Sequence, residues 1–177
     1  MHVGVLKETK NNEGRVAAIP VMVEALVAAG HGVIVQKNAG INVGYKDADY
    51  MRAGAQIATV PKTIIQKSDL ILKVKEPTLE EIDAMKEGQM IFCYLHLASM
   101  PALFKKIIKK KIIALGYETV QLPDGSLPLL KPMSEIAGQL AALNGAFYLR
   151  ADQGGRGVLI GGTDTVPPAL TVVLGAG

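Results

Sequence analysis

The stretch LILKVKEPTLEEIDAMKEGQMIFCYL, residues 70–95, decides the fold. It contains two short apolar runs, Leu70 to Val74 and Met90 to Leu95, separated by a helix-length segment near Leu79 to Met85. Runs of this length read as buried strands, and a helix between them reads as the connection joining parallel strands. The same alternation continues on both sides. Upstream, HVGVL (2–6) opens the chain as a strand, and Pro20 begins a helix through Ala29 that Gly30 ends. Proline tolerates a helix start and glycine the turn beyond its end, so both suit their places. GVIVQ from Gly32 is the next strand, and DADYMRAGA (47–55) is a short helix closed by Gly54.

Downstream, Pro101 starts another helix and KIIALGY from Lys111 forms a further strand. In that helix Leu103, Ile107 and Ile108 are expected to face the core, with Lys105, Lys106, Lys109 and Lys110 on a solvated side. The longest helix is expected from Ser134 to about Leu149, with Ile136, Leu140, Leu143 and Phe147 along one stripe. Gly138, Ala142 and Gly145 form a neighbouring small-residue line. Each lone glycine costs a helix roughly 1 kcal/mol relative to alanine, so the pair suggests close packing against another element. After two loops the chain ends on LTVVLGAG (170–177), expected as one more strand. The fold class is therefore α/β: a Rossmann-like parallel sheet flanked by helices, then a long linking helix and the first strand of a second Rossmann domain. The expected division is 1–130 and 131–177.

Composition agrees. Hydrophobic residues make up 49% and aromatics 5%, with no Trp, which suits a sheet core of Val, Ile, Leu and Ala. Nineteen basic residues against 16 acidic ones give a net charge of +3, too mild an excess to argue for nucleic acid or membrane as partner. No apolar run approaches the roughly 18 residues a bilayer requires, and the start MHVGVLKETK lacks a secretory signal's apolar stretch. A cytoplasmic protein is expected. The single cysteine, Cys93, reads as a small buried hydrophobe. No metal site is expected.

Three strand ends each present one polar residue. Arg15 lies in the loop after the first strand, Lys75 follows LILKV, and His96 follows MIFCYL. Ligands of open parallel sheets collect at the carboxyl ends of strands. A guanidinium, an ammonium and an imidazole there could bind a small carboxylate and move a proton. The three are expected to line one pocket, whereas His2 and His31 read as structural. At the other end TVVLGAG (171–177) begins like a dinucleotide fingerprint, a buried strand turning through Gly175 and Gly177. Two glycines after a strand equally suit an ordinary strand-to-turn junction.

GVLKETKNNEGRVA (4–17), LKVKEP (72–77), YLHLAS (94–99), GYETV (116–120) and LPLLKPMSEIAGQLAA (127–142) together resemble the L-alanine dehydrogenase family, in order and spacing, over nearly the whole chain. The resemblance implies a substrate domain joined by long helices to an NAD-binding domain. It implies that Arg15 and Lys75 bind the substrate's carboxylate and oxygen, that His96 is the general acid and base, and that Lys75 counts with His96 among the catalytic residues. Met133 and Ser134 would lie beside the nicotinamide. The implied reaction is reversible oxidative deamination of L-alanine to pyruvate and ammonia, with NAD as cofactor, in a homo-oligomer. By itself the 177-residue chain is expected to be inactive. The tail GGTDTVPPALTVVLGAG (161–177) also resembles proton-translocating transhydrogenase α subunits, which typically lack the lysine and histidine standing here as Lys75 and His96. A non-catalytic carboxylate-binding module is the third alternative.

Overall fold

The computed structural model describes residues 1–175, in two compact units, 1–120 and from residue 121 onward. The first unit is a six-stranded parallel sheet in the order β3-β2-β1-β4-β5-β6. Its strands are β1 (His2–Val5), β2 (Gly32–Gln36), β3 (Gln56–Ala58), β4 (Leu70–Leu72), β5 (Met90–Cys93) and β6 (Ile113–Gly116). The helices are α1 (Pro20–Ala28), α2 (Asp47–Arg52), α3 (Pro61–Lys67), α4 (Leu79–Ala84) and α5 (Pro101–Lys109).

Strand alternation sorts the core onto two faces. Val3, Val5, Val33, Val35 and Leu72 pack with Val23 of α1 and Tyr50 of α2. Ile34, Ile71, Ile91 and Cys93 pack with Ile64 and Ile65 of α3, Ile82 of α4, and Leu103 and Ile107 of α5. Side chains of successive strand residues point to opposite faces, so near-continuous apolar runs fill both. Gly4 lies between Val3 and Val5. A Cβ there would stand 2.5 Å from Ser68 Oγ and 2.9 Å from both Ile64 and Ile71. Glycine thus lets α3 lie close on β1. Cys93 is fully buried, as expected, and burial pushes its thiol well above the ordinary range.

Several expectations require correction. β3 and α3 lie outside the sequence reading, because a three-residue strand and a seven-residue helix are too short to show a periodicity of their own. Ile108 is 61% exposed and Leu103 and Ile107 are buried. Residues 103 and 107 are one turn apart, and 108 falls about 100° further round. Nor are all four lysines of α5 simply solvated. Lys106 Nζ reaches Asp83 Oδ2 at 2.6 Å, and Lys110 Nζ donates to the carbonyls of Asp83 and Met85 at 2.6 and 2.8 Å. They bind the C-terminal end of α4, where carbonyls lack helical partners.

In the second unit α6 runs Lys131–Leu149, starting three residues before Ser134 because Pro132 is tolerated in a first helical turn. None of its residues is buried: Ile136, Leu140, Leu143 and Phe147 are each 42–66% exposed. The close packing expected at its glycines is not formed among the described residues. A Cβ at Gly138 would meet nothing within 4 Å, and one at Gly145 only Ile160, at 4.0 Å. The expected final strand is not formed over the described residues 170–175, where Leu170 and Leu174 are 94% and 95% exposed. A strand is held by the ladder to its neighbour, and this run has no such ladder. Gly177 lies outside the described residues.

Candidate functional site at the carboxyl edge of the sheet

The strand order reverses between β1 and β4, so the connections after these two strands diverge and leave a crevice, the usual ligand position in open α/β sheets. Glu8 ties the two sides together. Its carboxylate is 7% exposed, and Oε1 accepts from the main-chain N–H of Val74 (2.6 Å) and of Lys75 (3.3 Å). Oε2 faces Lys73 Nζ at 3.6 Å, and Lys73, buried to 1%, also donates to Glu81 Oε1 at 3.1 Å. Burial pushes the Glu8 carboxyl above its ordinary range, against the pull of the Lys73 charge and the two amides. Pairing of β4 with β5 continues past their ends, through Lys73 N–H to the Phe92 carbonyl (3.2 Å) and Tyr94 N–H to the Val74 carbonyl (3.0 Å). Lys75 therefore leaves the sheet from a fixed base.

Arg15 is gripped by Glu13. Its Nε donates to Glu13 Oε1 (2.9 Å), an Nη donates to Oε2 (2.7 Å), and its own N–H donates to Oε1 (3.0 Å). Such a fork is geometrically specific. It holds Glu13 below the ordinary carboxylate range, chiefly through the Arg15 hydrogen bonds and with help from the Lys75 charge. The same bonds raise the Arg15 guanidinium, with smaller contributions from Tyr94 and Glu8. Arg15 and Lys75 thus share Glu13 as electrostatic neighbour.

His96 stands at the end of β5, exposed, its ring stacked on Tyr94 with centroids 6.2 Å apart and planes 13° from parallel. It borders an open groove of about 520 Å³ that Leu97, Ser99, Gly116, Glu118 and Thr119 also line. Glu118 accepts from the main-chain N–H groups of Leu95 and His96. Glu76 pairs with Lys10, while its Oε2 is buried and unpartnered. Burial raises the Glu76 carboxyl, but the Lys10 contact and the charges of Lys10 and His96 outweigh this and leave it lowered. Tyr94 is the common neighbour, stacked on His96 and felt electrostatically by Arg15.

Arg15, Lys75 and His96 accordingly rise from three strand ends of one sheet edge, with Glu8, Glu13, Glu76, Tyr94 and Glu118 around them. Those five were not singled out from sequence. The acidic ones sit in polar segments where carboxylates are ordinarily solvated, although all five lie within the quoted motifs. His2 and His31 lie away from this edge, at the amino end of β1 and just before β2; His2 N–H donates to Asp69 Oδ2 at 2.6 Å. In the second unit Met133 and Ser134 are half-buried in the first turn of α6, their N–H groups bonded to the Leu130 carbonyl at 3.0 and 3.1 Å. Gly175 adopts φ +102°, open to glycine and strained for other residues. No described helix is long and apolar enough to cross a membrane.

The alanine dehydrogenase from Methanococcus maripaludis is 51% identical over 177 residues, all of this chain and 48% of that protein. The alanine dehydrogenase from Mycobacterium tuberculosis is 49% identical over the same span, again 48% of its length. The chain thus spans about half the length of the curated relatives it matches. A solved L-alanine dehydrogenase structure superposes with a TM-score of 0.81 at 47% identity, covering 95% of this chain and 46% of that one. A transhydrogenase from Sinorhizobium meliloti superposes at 0.63 with 27% identity over 67% of this chain and 35% of that one. The family model for the alanine dehydrogenase/PNT N-terminal domain matches residues 4–137, and the chain therefore belongs to the alanine dehydrogenase/PNT family.

Proposed function

We propose that this chain is the substrate-binding part of an NAD-dependent L-alanine dehydrogenase, catalysing the reversible oxidative deamination of L-alanine to pyruvate and ammonia. This reading is carried by 51% and 49% identity to alanine dehydrogenases against 27% to a transhydrogenase, and supported by the placing of Arg15, Lys75 and His96 in connections after three parallel strands. Arg15, its plane fixed by Glu13, pairs with the substrate carboxylate. Lys75, anchored at its N–H by Glu8, donates to the substrate oxygen and stabilises negative charge developing there. Loss of hydride from the α-carbon leaves an imine. His96 takes a proton from the water whose oxygen bonds to the imine carbon as the C=N pair returns to nitrogen, and gives that proton to the nitrogen as ammonia leaves and the keto group forms.

Among the residues at hand, Met133 and Ser134 in the first turn of α6, and the left-handed Gly175, fit contact with a dinucleotide. When bound, that cofactor supplies the hydride acceptor. Gly177 belongs to the same proposal. A homo-oligomer in the cytoplasm completes the reading, and the exposed apolar stripe of α6 is a surface suited to self-association.

The test is steady-state kinetics on the full-length protein. Alanine-dependent reduction of NAD is expected, and His96→Asn should lower kcat about 10²- to 10⁴-fold, the usual range for losing a positioned acid or base. Nucleotide binding with no alanine oxidation would overturn the assignment.

A further inference from the structure

We propose that Glu118 is a positioning residue, holding His96 in the backbone conformation that presents its imidazole to the groove. The inference rests on the reading of His96 as acid and base, and concerns how the fold sets that residue's geometry. His96 has φ 47° and ψ 35°, the left-handed region that a residue with a Cβ disfavours. Something must hold it there. Glu118 is the group that does: its carboxylate accepts from the N–H of His96 at 2.9 Å and from that of Leu95 at 3.1 and 3.3 Å. Two successive N–H groups converging on one anion fix the peptide plane that precedes the His96 Cα. On the far side the His96 carbonyl accepts from Ser99 N–H (3.1 Å) and Ser99 Oγ (2.9 Å). The residue is thus pinned through both of its peptide groups.

Glu118 reaches this place from a different strand. It follows β6, which pairs in register with β5, Gly116 standing opposite Cys93. Gly116 has an ordinary extended φ of −92°, so backbone freedom does not explain a glycine there. Room does: a Cβ would stand 3.2 Å from Glu118 Oε2 and 3.2 Å from Thr119 Oγ1. The missing side chain leaves the Glu118 carboxylate its path to the β5 loop. Without that carboxylate, His96 relaxes to negative φ, its Cβ direction swings, and the ring leaves its stack on Tyr94.

The experiment pairs crystal structures with kinetics of Glu118→Ala and Glu118→Gln in the full-length protein. In Glu118→Ala, His96 is expected at negative φ with its ring off Tyr94, and kcat is expected to fall about 10- to 100-fold, as for misplacement of a reacting group by about 1 Å. The Michaelis constant for pyruvate should rise less than kcat falls, because Arg15 and Lys75 still hold the carboxylate while the His96 contact is lost. Glu118→Gln keeps an acceptor oxygen and should retain left-handed His96 and at least about one third of kcat. A Glu118→Ala structure with His96 still left-handed and stacked would overturn the proposal. So would a Glu118→Gln protein as slow as Glu118→Ala while its His96 remains in place. His96 displaced with kcat unchanged would leave the positioning intact and refute the catalytic reading of His96 instead. If Glu118→Ala does not fold, Glu118→Asp, which keeps the charge but draws the carboxylate back by one methylene, supplies the same pair of readouts.

Discussion

The Arg15–Glu13 fork gives the site its first measurable consequence. Lysine at position 15 would keep the charge and lose the planar array of donors, so both the grip of Glu13 and a paired contact to a ligand carboxylate would weaken. Arg15→Lys is expected to raise the Michaelis constant for pyruvate about tenfold, roughly the 1.4 kcal/mol of one good charged hydrogen bond. The constant for the cofactor should hardly move. An unchanged pyruvate constant would place Arg15 outside the site. The fork also titrates. Glu13 has its folded pKa depressed below the ordinary 4.5, so its contribution to stability is present above 4.5 and is lost as pH falls through the lower folded value. Following the Glu13 carboxyl by carbon-detected NMR should show it titrating below 4.5 in the parent and returning toward 4.5 in Arg15→Ala. At this scale the sequence was half legible. Arg15, Lys75 and His96 were picked out because each lies in the connection after an apolar run, where ligands of open parallel sheets collect. Glu8, Glu13 and Glu118 were hidden because their burial and their N–H partners come from segments 2 to 67 residues away.

Helix α4 shows how an element serves the site from outside it. Thr78 caps its N-terminus, Oγ1 accepting from Glu81 N–H at 3.1 Å while Glu81 Oε2 accepts from Thr78 N–H at 2.8 Å. The other oxygen of Glu81 receives Lys73, so the capping box and the buried cation share one carboxylate. Thr78→Ala should cost about 1 kcal/mol, as N-cap deletions commonly do, read from the midpoint of urea unfolding at unchanged slope. Gly4→Ala belongs to the same scale. It drives a methyl into Ser68, Ile64 and Ile71 and should cost about 1–3 kcal/mol as an overpacked core site; a melting temperature equal to the parent's would refute the close approach of α3 to β1. Elements with punctuation were readable, such as α1 between Pro20 and Gly30 and α5 from Pro101. β3, three residues long, was not, nor was α3, which starts at Pro61 but runs only seven residues; the apolar tail from Leu170 to Leu174 carried strand composition without the neighbouring strand that composition alone cannot provide.

For the whole sheet-bearing unit, the reversal of strand order between β1 and β4 places Glu8, Lys73 and Lys75 in one crevice and leaves a charged cluster within the fold. Lys73 is the least expected residue there, a lysine inside the run LILKV read simply as strand, yet buried to 1% between two carboxylates. Lys73→Met should destabilise the protein by about 3–5 kcal/mol, the usual loss when one partner of a buried charge pair is removed. The penalty should grow with pH. Glu8 already has a raised folded pKa, a condition that favours folding below its ordinary 4.5 and is lost as pH rises through the folded value, and removing Lys73 raises it further. Urea unfolding at pH 5 and pH 8 checks this, and an equal loss at both would contradict it. The central claim is that this crevice holds a small carboxylate between Arg15, Lys75 and His96. A crystal structure of the full-length protein with pyruvate bound tests it most directly. Carboxylate oxygens are expected about 2.7–3.2 Å from the Arg15 guanidinium, with Lys75 and His96 at the keto oxygen; pyruvate seated elsewhere, with these three side chains untouched, would contradict it.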